Sequence, residues 1–93
     1  MASRDHRYSL IKPMVDAGKI VVFNDIFKFI PKTRVATDLG KKVDRFNELM
    51  TNVEDFNLKD LFLIASFCEM AETEMLGLVM KQYLEIKNNL PHV

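Results

Sequence analysis

The chain has no tryptophan and one cysteine, and only three glycines and three prolines among its 93 residues. Such a composition excludes disulfide scaffolds, collagen-like repeats and Pro/Gly-rich linkers. Cys68 has no internal partner for a disulfide, and its apolar helical setting suits a buried, inert thiol. No apolar run approaches the ~20 residues of a membrane span. Behind the opening Met-Ala-Ser-Arg-Asp-His-Arg there is no hydrophobic signal core. The expectation is a cytoplasmic protein with no membrane partner.

Chemistry-bearing motifs are equally scarce. His6 and His92 stand at opposite ends, and neither makes a metal-ligand spacing with Cys68 or with paired carboxylates. Glu72 and Glu74 precede an apolar run, where acidic residues favour a helix N-terminus. With no Gly-rich phosphate loop and no nucleophile motif, neither an enzyme nor a cofactor is expected, and no small-molecule substrate is evident. Net charge is also missing: thirteen Lys/Arg balance thirteen Asp/Glu. The balance is not uniform. Residues 1 to 52 carry ten Lys/Arg against six Asp/Glu, and residues 53 to 93 carry three against seven.

What is present is apolar and helical. Hydrophobic residues make up 48% of the chain, enough for one compact domain across 1–93. Leu10, Ile11, Met14 and Val15 recur at three-and-four spacing, predicting a helix over 8–17 that Gly18 ends. Ile20 to Phe23 reads as an extended or single-turn entry, with Asn24 the N-cap of a helix over 25–30 that stops before Pro31. Thr33 is expected to cap a helix running to Leu39, with Val35, Ala36 and Leu39 inward.

A second helix spans 43–52. Phe46, Leu49, Met50 and Val53 lie on its inner side, and Asp44, Asn47, Glu48 and Thr51 on its outer side. Asn57 opens a core helix over 57–69, expected to be the most buried element. A long helix over 72–88 follows, stopped by Pro91.

The most informative stretch is Thr33 to Leu49, TRVATDLGKKVDRFNEL. Ala36 stands four residues before Gly40, Phe46 six after it, and Leu49 three further on. A small residue lets two helices pack close, a glycine turns the corner, and apolar residues close the contact. Phe56-Asn57-Leu58-Lys59-Asp60-Leu61 then leads into Ile64-Ala65. From Lys32 to Met70 this pattern resembles the phage-repressor-like (Cro-like, XRE) helix-turn-helix family. The resemblance implies an all-α, lambda-repressor-like domain of five to six helices, with the helix-turn-helix at about 33–52. It also implies a small DNA-binding transcriptional regulator.

Carried over residue by residue, the family pattern puts phosphate contacts at Lys32 and Thr33, with Lys41, Lys42 and Arg45 adding cations around the second helix. Lys42, Val43, Asp44, Asn47, Glu48 and Thr51 would face base edges in the major groove of double-stranded DNA. There Asn47 suits adenine and Val43 a thymine methyl. The chain departs from the family at Asp44 and Glu48, at the acidic loop holding Glu54 and Asp55, and at Lys41, where an apolar residue is common. A protein-interaction module that keeps the fold without binding DNA is therefore the alternative. The last helix carries more apolar residues than one core-facing stripe needs. Either the N-terminal helix covers the excess, or a homodimer forms through Met75, Val79, Tyr83 and Ile86.

Overall fold

Apolar residues at helical spacing, broken by three left-handed corners, shape the whole described chain. The computed structural model describes residues 5–89. A 3-10 segment, His6–Leu10, runs into α1 (Ile11–Asp16). A second 3-10 segment, Phe23–Lys28, precedes α2 (Lys32–Asp38) and α3 (Val43–Thr51). A third, Val53–Asp55, leads to α4 (Leu58–Phe67) and α5 (Glu72–Asn89). The fold is all-helical, with no strand among the described residues. No helix there is long and apolar enough to cross a membrane.

Several expected boundaries move. The helix expected over 8–17 is a 3-10 segment followed by a short α-helix, ended at Gly18 with φ 75°. Asn24 is not a cap. Asp25 does that work instead, its carboxylate accepting from Val21 N at 2.9 Å and Val22 N at 3.2 Å. Thr33 is not a cap either. α2 begins at Lys32 behind Pro31, whose extended backbone (ψ 145°) sets the entry and whose missing N–H costs nothing at a helix start. Asn57 does cap α4, accepting from Asp60 N at 2.8 Å. The stop expected at Pro91 lies outside the described residues.

Four phenylalanines tie the middle of the molecule together. Phe46 of α3 meets Phe27 and Phe56 at 5.6 Å, and Phe23 meets the same two rings at 5.5 Å. Each pair is near edge-to-face, an arrangement worth about 0.5–1.5 kcal/mol beyond burial. α3 is thereby fixed against both the 23–28 segment and the chain leading into α4. α4 and α5 pack together as a hairpin, and α5 also covers the 23–28 segment. α4 is less buried than its composition suggests: Leu61, Ile64 and Ala65 face the core, while Leu58, Phe62 and Leu63 are exposed.

The N-terminal segment is clipped to the rest at two distant places. Tyr8 is fully buried, its ring 5.2 Å from Phe67, and its hydroxyl donates to Asp38 Oδ2 at 2.7 Å. Burial, reinforced by that carboxylate, pushes the phenol far above its ordinary range. Lys12 Nζ reaches Glu74 Oε2 at 2.6 Å. Cys68 is buried, and burial pushes its thiol up to about 12, as suits an inert core residue.

Candidate nucleic-acid interface

The corner between α2 and α3 is built from backbone hydrogen bonds. Gly40 holds φ 74°, Gly40 N donates to Thr37 O at 3.0 Å, and Lys41 N donates to Ala36 O at 2.9 Å. This pattern satisfies the last carbonyls of α2 within one turn. Ala36 is fully buried at the crossing, so α2 and α3 approach closely. Buried Phe46, Leu49 and Met50 hold α3 from within.

The opposite side of α3 faces solvent. Lys42, Asp44, Arg45, Asn47, Glu48 and Thr51 are all exposed. Val43 is not among them: it is half-buried and packs against the core, which turns its methyl groups away from this face. Lys42 sits at the start of α3 with extended backbone and makes no side-chain cap. Lys32, at the start of α2, is half-buried beside a groove of about 820 Å³ that Asn47 and Thr51 also line. Thr33 is exposed in the first turn of α2, its carbonyl accepting from Thr37 Oγ1 at 2.8 Å. The structure thus brings Lys32, Asn47 and Thr51 to one groove and leaves Lys42 at its own end of α3.

Two of the expected cations are engaged elsewhere. Lys41 Nζ lies 2.9 Å from Asp60 Oδ2 on α4, with only 23% of the lysine side chain and 10% of the aspartate side chain exposed. Arg45 pairs along α3 with Glu48 at 3.1 Å, both side chains well exposed. Lys32 and Lys42 have no carboxylate partner among the described residues. The exposed Asp44, Glu54 and Asp55 likewise have no cation partner there. Positive charge on this face is therefore local.

Asp60 is the residue that the motif pattern misses. The signal for it is Lys41 itself: a lysine that turns inward at a helix corner needs a carboxylate. Buried Gln82 is the second omission. Its Oε1 accepts from Asn24 N and joins α5 to the 23–28 segment beneath the groove. Signal for Gln82 is absent, because its partner is a backbone amide far away in sequence.

The residues expected to form a dimer face divide. Met75 and Val79 are core residues, 0% and 8% exposed, and α5 turns them inward onto the domain. Tyr83 is half-buried, and Ile86 lines the groove beside Lys32 and Asn47. Besides Ile86, helix α5 exposes Met80 and Leu84. No protein-family model matches the chain, and no significant match is found among curated proteins or solved structures.

Proposed function

We propose that this domain is a small DNA-binding regulator of the helix-turn-helix type, with α3 inserted into the major groove. The observation that carries this reading is the anchoring of α3. A tight glycine corner and three buried apolar residues hold it, while a continuous polar face points outward. In this reading Asn47 reads adenine through its amide, and Asp44 accepts from a cytosine amino group. Lys32 and Lys42 hold phosphates on either side, and Arg45 joins them by releasing Glu48.

Few cations are available, so the electrostatic contribution is small. Two or three phosphate contacts give a salt slope of about −2 to −3 on a log–log plot. Selection from random duplexes, with affinity followed against salt, tests both parts. Enrichment of a short site with that shallow slope is the expected outcome. Lys42→Glu should weaken binding and flatten the slope by about one, without shifting the melting temperature. Absence of binding at low salt would sink the reading. A protein-interaction module would then stand in its place, a reading favoured by the Arg45–Glu48 and Lys41–Asp60 pairs that remove positive charge from this face.

A further inference from the structure

Away from α3, the surface between α4 and α5 is an apolar groove of about 390 Å³. Val53, Phe56, Leu58 and Leu61 form one wall, and Leu76 and Met80 belong to the other. Leu58 is 57% exposed and Met80 55%. A domain of this size has no need of such exposure for its own core, and leaving two large side chains in water forgoes their burial energy.

The charges and spacing of α5 specify the occupant. Glu72, Leu76, Met80, Tyr83 and Lys87 fall within an arc of about 80° at 3.6 residues per turn. A two-fold axis midway between residues 79 and 80, with two α5 helices antiparallel, sets Leu76 of one copy opposite Tyr83 of the other. The same axis sets Glu72 opposite Lys87 and brings the two Met80 side chains together. Glu72 and Lys87 are exposed and have no ion-pair partner among the described residues. Apolar and charged positions become complementary under a single operation, which is the requirement of an isologous interface.

We infer that this groove binds a second copy of the same chain, α5 against α5, in a symmetric dimer. With 18 residues, α5 is about 27 Å long, enough for a seam of three apolar residues per copy, Leu76, Met80 and Tyr83, with an ion pair at each end. The exposed Leu58, with Phe62 one turn on along the same side of α4, flanks the seam. The dimer does not depend on the DNA reading, since none of its residues lies on the outward face of α3.

Sedimentation of the full chain over a range of concentrations, without nucleic acid, tests the inference. Wild type should shift from monomer to dimer with concentration. Met80→Glu, at an exposed position, should weaken association by about a hundredfold or more by placing two carboxylates at the axis. Glu72→Lys and Lys87→Glu, each alone, should also weaken it, because like charges then meet at both ends. Mixing those two variants should restore a dimer, with Lys opposite Glu at each end. Circular dichroism checks that every variant stays folded. A wild type that remains monomeric at high concentration overturns the inference. So does a dimer that survives Met80→Glu, or a mixture of the charge variants that associates no better than each alone.

Discussion

Between α2 and α3, Gly40 holds φ 74° and the N–H of Lys41 reaches back to Ala36 O at 2.9 Å. Between α4 and α5, Glu69 holds φ 55° and the N–H of Met70 reaches back to Ala65 O at 2.9 Å. The two corners share a backbone and differ in everything attached to it. At the second, a residue with a Cβ accepts a left-handed conformation that costs roughly 1–2 kcal/mol, and the following side chain, Met70, is buried in the core. At the first, glycine removes the conformational cost, but the following side chain is Lys41, closed by an ion pair to Asp60. The backbone hydrogen bonds dictate the corner. What seals it can be hydrocarbon or paired charge.

The difference can be broken most severely at Gly40. Nothing lies within 4 Å of a Cβ added there, so substitution acts through the backbone alone. Gly40→Val should cost about 3 kcal/mol, since a β-branched residue is worst placed at positive φ. Thermal unfolding followed by circular dichroism reads this as a drop of about 12 °C or more for a domain of this size. An unchanged transition would mean that the corner tolerates strain as Glu69 does.

A smaller effect is expected at the seal. Asp60→Ala leaves the half-buried Lys41 ammonium without its carboxylate and should cost about 2 kcal/mol, less than a fully buried pair because the lysine is partly solvated. Replacing both partners, Lys41→Met with Asp60→Leu, should recover most of that loss and convert the first corner to the chemistry of the second. Denaturant titration of the single and double variants measures the coupling. If the double variant is no more stable than Asp60→Ala, the pair has a role that apolar packing cannot fill. The smallest change is Glu69→Gly, which should stabilise by about 1 kcal/mol through relief of the left-handed cost. A loss of stability there would show that the glutamate side chain contributes what its backbone loses.

These corners also mark how far the sequence could be read. Ala36, Gly40, Phe46 and Leu49 lie within fourteen residues of one another, and their local spacing announced two helices meeting at a glycine. The buried and exposed sides of α3 followed from its period, with Val43 the exception because it sits at the helix start, where the chain still turns inward. Glu69 carried no sign of a left-handed residue. Tyr8, thirty positions from Asp38, gives no sign of its partner, and Lys41 reads as a phosphate ligand because its carboxylate lies on another helix. The excess of apolar residues on α5 was legible, whereas its division between core and surface was not. Met75 and Val79 differ from Met80 and Leu84 only in which side of the helix the hairpin with α4 covers.

The two clips on the N-terminal segment bear on how the chain reaches this state during synthesis. Tyr8 requires Asp38 and Phe67, and Lys12 requires Glu74. On a ribosome Tyr8 and Lys12 emerge long before Phe67 and Glu74, so the 6–16 segment must wait for those partners before it can dock. Until then its buried aromatic side chain is open to chaperones and to neighbouring nascent chains. The phenylalanine cluster, complete once Phe56 has emerged, can form without it. Folding therefore proceeds from the middle of the described fold outward, and the 6–16 segment is among the last parts to close.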